Sequence, residues 1–175
     1  MVKNRPIQQV FWLIPAFLAL HNLEEALTMP AWIPEHLPLL HKTIPLFAHL
    51  QFSPTQLYLS LFLVTVIPFA ITFICMRGER THAKLFILLT LQSIIFWNAL
   101  MPHVIGLVML GMYNPGVLTA VVINIPFSVY LLKRVAVEKL TGKRVTKKIL
   151  LTALVIYLPI VYANHILAQA ISRLL

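Results

Sequence analysis

The stretch FWLIPAFLALHNLEEALTMP, residues 11–30, begins as an apolar run and then places one histidine and two adjacent carboxylates in the same segment. A helix needs about 20 apolar residues to cross the roughly 30 Å hydrocarbon core of a bilayer, and this stretch has about that length. An ionisable side chain there costs at least about 2.5–3.5 kcal/mol, so it is usually turned inward, paired and functional. The stretch predicts a membrane-crossing helix that carries a polar site.

The composition of the whole chain supports a membrane protein. The 175 residues are 59% hydrophobic and only 11% charged, and the mean hydropathy is +0.86. These values lie outside the usual range of soluble proteins. The net charge of +9 would suggest nucleic-acid binding in a soluble protein. Here the basic residues lie in loops between apolar runs, without interleaved aromatic residues, so we expect them to set topology and predict no nucleic-acid partner.

Five segments are long and apolar enough to cross a bilayer. The predicted fold class is therefore all-α, a polytopic helical bundle of about five transmembrane helices in one integral membrane domain, residues 1–175. A Pro- and His-rich segment, 30–53, is expected to lie on the outer face, either as an interfacial lid or guide for an amphiphilic substrate or as a plain loop. The predicted spans are 7–29, 54–76, 83–110, 116–136 and 147–171.

The distribution of Lys and Arg predicts the orientation. These residues concentrate at the N-terminus and in the 77–84 and 133–148 loops, whereas the opposite side carries Lys42 and Arg173. The positive-inside rule then places the N-terminus in the cytoplasm and the C-terminus outside.

This orientation places the buried polar residues at one depth of the cell membrane. At about 1.5 Å per residue, Glu24 lies roughly 25 Å from the cytoplasmic start of its helix, and His103 about 30 Å along the third. The fourth and fifth helices contribute Thr119, Asn124 and His165 at a similar depth. We therefore expect a polar layer in the outer half of the membrane.

The spacing within HNLEE suggests a metal site. On a helix, His21 and Glu25 are one turn apart and Glu24 lies on the same face. The pattern H-x-x-E-E differs by one residue from the inverted zincin pattern H-x-x-E-H. By that logic His21 and Glu25 bind a divalent metal ion, zinc being one candidate, and Glu24 is the catalytic base. The alternative is that both carboxylates lie at a frayed helix end, solvated by water near the headgroups.

The remaining candidate residues lie on later helices. His103 is the preferred third metal ligand and His165 the reserve, although either taken alone could be an interfacial hydrogen-bonding residue. Asn98 is five residues before His103, which is about 140° around a regular helix, but a kink at Pro102 can re-aim His103 toward the bundle. The candidate substrate-binding residues are Asn98, Thr119 and Asn124.

Three sequence blocks carry a resemblance to a known family. HNLEEA, NALMPH and YNPGVLTAVVINIPF, in this order, resemble the HXXEE-motif family of small bacterial and archaeal membrane proteins. The resemblance extends from about His21 to Phe127 and implies a helical membrane fold with a polar site, but no particular reaction. The positions that match the family pattern are His21, Glu24, Glu25, Asn98, His103, Pro115, Gly116, Thr119 and Asn124.

Three classes of function stay open at this stage. The first is an intramembrane, metal-dependent enzyme, hydrolase-like, that acts on a lipid or other membrane-resident substrate; a membrane protease is a sub-case. The second is a small proton or metal transporter, which requires polar residues that continue toward the cytoplasmic side. The third is a non-catalytic membrane partner protein whose polar layer is structural. Whether the chain is an enzyme is not decided by its sequence.

Overall fold

Five long helices form the part of the chain that the computed structural model describes, which is residues 7–43, 53–79 and 81–174 apart from the side chain of His41. The structure is 88% helix, and its described residues contain no strand. All five helices are long and apolar enough to cross a membrane, so the predicted fold class is confirmed. We label the helices α1 (Ile7–Phe11 and Leu13–Thr43), α2 (Pro54–Met76), α3 (His82–Asn98, Ala99–Ile105 and Gly106–Leu110), α4 (Val117–Thr119, Ala120–Asn124 and Ile125–Val137) and α5 (Lys143–Ser172).

The first helix is longer than the sequence predicted. It was expected to end near residue 29, but it continues through Pro30, Pro34 and Pro38 to Thr43. A proline removes the hydrogen bond to the carbonyl four residues earlier. Because these prolines are four residues apart, the lost bonds fall along one stripe of the helix and leave the other stripes intact. The rest of the predicted outer segment, 44–52, lies outside the described residues.

The extension of α1 is held by apolar packing against α2. Ile33 packs with Leu57 and Leu61, and all three are buried. Between helices that cross a membrane, such packing stabilises through van der Waals contact. The extension is therefore a packed part of the bundle.

Two helices contain a π-helical segment at the same level of the bundle. In α3 it is Ala99–Ile105, which includes Pro102, and in α4 it is Ala120–Asn124. Pro102 cannot donate to the carbonyl of Asn98, and a π turn pairs residues five apart instead of four. Single π turns inside α-helices frequently mark functional sites. The segment in α3 turns Asn98 and His103 toward each other, which a regular helix would not do.

The apolar core and the polar residues occupy different levels. The core contains side chains from all five helices, and four of its members, Phe11, Leu88, Leu131 and Ile149, are each at most 1% exposed. These residues lie toward the N-terminal ends of α1, α3 and α5 and toward the C-terminal end of α4. The other ends of the helices meet around a buried polar cluster.

Candidate functional site

Two histidines and one glutamate from two helices meet in the interior. His21 and Glu25 lie one turn apart on α1, and His103 lies in the π-helical segment of α3. One potential ligand atom of each lies within 4.8 Å of the other two, and all three residues are buried. Glu25 Oε1 is 3.8 Å from His21 Nε2 and 3.5 Å from His103 Nε2. The structure thus brings together three of the four predicted metal ligands.

The hydrogen bond to His103 determines which ring nitrogen carries a proton. His103 Nδ1 is 2.9 Å from the carbonyl oxygen of Pro115. A carbonyl oxygen only accepts hydrogen bonds, so Nδ1 must donate. In the neutral ring Nε2 then carries a free lone pair, and this lone pair faces Glu25.

The tautomer of His21 follows from a chain of two hydrogen bonds. His21 Nδ1 is 2.8 Å from Thr119 Oγ1, and the same hydroxyl donates its proton to Glu24 Oε2 at 2.5 Å. Because the hydroxyl proton of Thr119 is already used, its oxygen accepts a proton from His21 Nδ1. His21 Nε2 therefore also carries no proton and presents a lone pair. Both histidines present the nitrogen that suits a metal ion and bind the protein through the other.

Glu24, the predicted catalytic base, faces the turn between α3 and α4. Its Oε1 accepts from Tyr113 Oη at 2.8 Å and from the Leu118 backbone N–H at 3.3 Å. Its Oε2 accepts from the backbone N–H of Thr119 at 2.8 Å as well as from the Thr119 hydroxyl. Four donors match the acceptor capacity of a carboxylate, and two of them are backbone N–H groups at the N-terminus of α4, which favours negative charge. The base role stays a prediction.

Tyr113 lies between α3 and α4 and was not among the predicted residues. Partial burial raises the pKa of its hydroxyl above the ordinary value, and the adjacent Glu24 raises it further. The hydroxyl therefore stays a donor to Glu24 at neutral pH. Its backbone carbonyl accepts a hydrogen bond from Trp32 Nε1 at 3.0 Å, so the extension of α1 is tied to this turn.

Gly116 lets the turn approach the cluster closely. A Cβ atom at this position would lie 2.6 Å from His103 Cε1, 2.9 Å from His21 Cε1 and 3.0 Å from Glu25 Cγ. The backbone φ is +84°, in the left-handed region that favours glycine. The turn therefore packs directly against all three potential ligands and excludes solvent from that side.

Asn98 bridges the two imidazoles. Its Nδ2 atom lies 3.4 Å from Nε2 of His21 and 3.4 Å from Nε2 of His103. Its Oδ1 atom accepts a hydrogen bond from Tyr157 Oη at 3.0 Å. Tyr157 is 4% exposed and comes from α5. Tyr157 was not among the predicted residues, although a tyrosine in an otherwise apolar helix needs a hydrogen-bond partner when it is buried.

His165, the fourth predicted metal ligand, lies outside this cluster. Its Nε2 atom is 3.0 Å from Nε2 of Gln56. One turn farther along α2, Ser60 Oγ accepts a hydrogen bond from Asn164 Nδ2 at 2.6 Å. These contacts join α2 to α5, a role that the sequence could not separate from metal binding.

Asn124 belongs to a second polar layer. Its backbone carbonyl oxygen accepts a hydrogen bond from Ser128 Oγ at 2.6 Å, and Ser128 Oγ in turn accepts one from Gln92 Nε2 at 2.7 Å. Asn124 is 1% exposed, and neither atom of its amide has a hydrogen-bond partner among residues 7–43, 53–79 and 81–174. Of the predicted substrate-binding residues, Asn98 and Thr119 contact the histidine cluster, whereas the described hydrogen bonds of Asn124 lead away from it.

Comparison with other proteins identifies related sequences without an assigned activity. Residues 12–131 match the sequence profile of a family described as "Protein of unknown function with HXXEE motif". A relative from Bacillus subtilis (strain 168), described as "Uncharacterized protein YrkK", is 26% identical over 140 residues, which is 79% of this chain and 80% of the relative. No solved structure matches the chain.

Proposed function

Because the chain belongs to the HXXEE family, a family of unknown function, we propose its role from the site itself: an intramembrane, metal-dependent, hydrolase-like enzyme. Its substrate is a lipid or another membrane-resident molecule. The observation that carries the proposal is the convergence of three lone-pair donors, from His21, Glu25 and His103, in a buried cluster. Two His and one Glu form the ligand set of a known class of catalytic zinc sites, which keeps a position open for water or substrate.

The distances favour a cation over a shared proton. A protonated Glu25 would donate to a histidine nitrogen across about 2.5–3.0 Å. The observed separations are 3.5 and 3.8 Å, too long for such a bond. They suit two ligands that share one ion, because ligands about 2.1 Å from a tetrahedral ion are about 3.4 Å apart. No described residue donates a hydrogen bond to the Glu25 carboxylate, so a bound cation also offsets its buried charge.

A bound divalent ion would activate water and polarise an ester or amide carbonyl, which makes hydrolysis the default reaction. The protein's own contribution is orientation. Thr119 and the Pro115 carbonyl fix the two histidine rings, and the turn at Gly116 keeps water away from one side. Outer partners of this kind typically change metal affinity or activity by 10–100-fold.

A membrane-resident substrate fits the surroundings of the site. The side chains on α1 and α4 that flank it and point outward are large and apolar: Leu23 is 53% exposed, Leu27 73% and Leu118 62%. In a helix that crosses a bilayer such side chains face lipid. A substrate that approaches Glu24 and Thr119 from this side therefore comes from the membrane, and lipid is the expected partner of this surface.

Metal content tests the proposal. Detergent-purified wild type is compared by elemental mass spectrometry with His21→Ala, Glu25→Ala and His103→Ala, with thermal unfolding as a control for folding. We expect near-stoichiometric divalent metal in the wild type and its loss in the three variants. His165→Ala is the matched control, because it removes a partly buried histidine outside the cluster, and it should retain the ion. A well-folded wild type without metal contradicts the proposal.

The proposed location, with the site toward the outer face of the cell membrane, has its own test. The basic loops predict a cytoplasmic N-terminus and, with five spans, an external C-terminus. Alkaline phosphatase fused to the C-terminus should be active, and a fluorescent protein fused there should be dark. The opposite result would place the site toward the cytoplasm without affecting the metal proposal.

A proton or metal carrier is the second candidate, favoured by the layer of Gln92, Ser128 and Asn124. This layer is farther than the histidine cluster from the turn that joins α3 to α4. Polar groups therefore continue into the bundle. We expect a carrier to move protons or metal ions across proteoliposomes and to lose this flux in Gln92→Leu. Flux absent from wild-type proteoliposomes that retain bound metal would exclude the carrier and leave the enzyme.

A further inference from the structure

A fourth polar side chain lies beside the three proposed metal ligands. We propose that Asn98 is the fourth metal ligand, through its amide oxygen, and that Tyr157 lets the amide turn when the ion binds. This inference rests on the proposed metal site, and it defines the coordination of the resting protein.

The four known distances fit a tetrahedral set of ligands in which the Asn98 amide is the fourth member. The Nδ2 atom of Asn98 lies 3.4 Å from the Nε2 atoms of both histidines. Glu25 Oε1 lies 3.5 Å from Nε2 of His103 and 3.8 Å from Nε2 of His21. Ligands about 2.1 Å from a tetrahedral ion are separated by about 3.4 Å. Four of the six ligand-to-ligand distances of a tetrahedral site therefore match this separation within about 0.4 Å.

The amide nitrogen of Asn98 faces the two histidines. The two Nε2 lone pairs are acceptors, and the amide NH₂ group offers them one hydrogen each. A cation between them would repel this NH₂ group, whereas the amide oxygen is a metal ligand of the hard, neutral type. Rotation about the Cβ–Cγ bond of Asn98 by about 180° exchanges the two ends with little displacement of the side chain.

Tyr157 supports the amide in both orientations. Its hydroxyl now donates to Oδ1 of Asn98 at 3.0 Å. After the rotation the same hydroxyl accepts from Nδ2, because a phenolic oxygen is both donor and acceptor. A phenylalanine would leave a polar atom of the partly buried amide without this partner in either state. Tyr157 is thus a positioning residue for Asn98.

A neutral amide is a weak ligand compared with the charged Glu25 or the imidazoles. A substrate carbonyl would displace this amide more readily than it would displace Glu25 or either histidine. The resting site is then closed by four protein ligands, and entry of substrate opens it. This closure deepens the proposed function, because it restricts water activation to the substrate-bound state.

Binding of Co²⁺ to detergent-purified, metal-free protein tests the role of Asn98. The dissociation constant is measured by competition with a chelator, and the visible spectrum of the bound ion reports its coordination. We expect Asn98→Leu to weaken binding at least 10-fold and to shift the spectrum, since water replaces the amide. Asn98→Asp restores an oxygen ligand and should bind at least as tightly as the wild type. Tyr157→Phe should weaken binding less than Asn98→Leu and leave the spectral type unchanged.

Each outcome separates this inference from the metal site itself. Wild-type affinity and spectrum in Asn98→Leu, with binding lost in His21→Ala, overturn the role of Asn98 and leave the three-ligand site standing. No Co²⁺ binding in the folded wild type overturns both. If Asn98→Leu fails to fold, the wild-type spectrum decides: a Co²⁺ spectrum that is constant between about pH 7 and 9 supports four protein ligands, whereas one that titrates reveals bound water and overturns them.

Discussion

Replacement of Gly116 by alanine is expected to disturb the site through both its backbone and its new methyl group. The φ of +84° lies in the left-handed region, which costs an alanine about 1–2 kcal/mol. The methyl carbon would lie 2.6 Å from His103 Cε1 and 2.9 Å from His21 Cε1, so both rings must move. Overpacking of this kind costs typically about 1–3 kcal/mol. The expected loss of unfolding free energy is therefore about 2–5 kcal/mol.

Gly111→Ala is the matched control for this prediction. Gly111 ends α3 with a φ of +65°, and nothing lies within 4 Å of a Cβ atom there. This variant should lose only the conformational term of about 1–2 kcal/mol and keep its metal affinity. The difference between the variants isolates the contact with the histidines. Unfolding in detergent and metal competition measure the two effects. Equal stability and equal metal affinity in the two variants would refute the packing argument.

Three further predictions concern the surroundings of the cluster. Glu24→Gln should weaken metal binding by about 10–100-fold, because it breaks the chain of hydrogen bonds from Glu24 through Thr119 to His21. The control Glu35→Gln, on the same helix, should leave metal binding unchanged. Unchanged metal affinity with lost turnover in Glu24→Gln would instead support Glu24 as the base. Acidification from about pH 8 to about pH 5 should release the ion, since protons compete for the ligand lone pairs, and retention of metal throughout would contradict histidine ligation. Pro102→Ala restores a backbone N–H in the π-helical segment and should lower metal occupancy by turning His103 away from Asn98. The control Pro159→Ala, in α5, should not lower metal occupancy. Equal occupancy in both variants would show that Pro102 does not set the orientation of His103.

Local spacing in the sequence predicted the part of the site that lies on one helix. His21 and Glu25 are one turn apart, so any regular helix puts them on one face. The five hydrophobic runs likewise predicted the fold, and the predicted span 54–76 coincides with α2. Both inferences depend only on the period of the helix and the thickness of a membrane, which do not require knowledge of how helices pack.

The partners across helices could not be predicted in this way. His103 was the preferred third ligand and His165 the reserve, but both are histidines in the same part of an apolar bundle. The choice between them depends on a π turn at Pro102 and on Gln56, which reaches His165 from another helix. Tyr157 and Tyr113 were missed for the same reason, because their importance lies in hydrogen bonds to residues 59 and 89 positions away in the sequence.

The two adjacent glutamates show why the order of residues alone did not assign their roles. One residue is a rotation of about 100° on a helix, so Glu24 and Glu25 face different neighbours. Glu24 meets four hydrogen-bond donors, three of them at the start of α4, and its negative charge is satisfied by the protein. Glu25 meets two bare imidazole nitrogens, which are acceptors and cannot satisfy it. A buried carboxylate to which no described residue donates a hydrogen bond requires a cation or a proton, and the separations of 3.5 and 3.8 Å favour the cation. The pair therefore divides into a carboxylate that anchors the α3–α4 turn and a carboxylate that the protein leaves without a donor, which is the one we propose as a metal ligand.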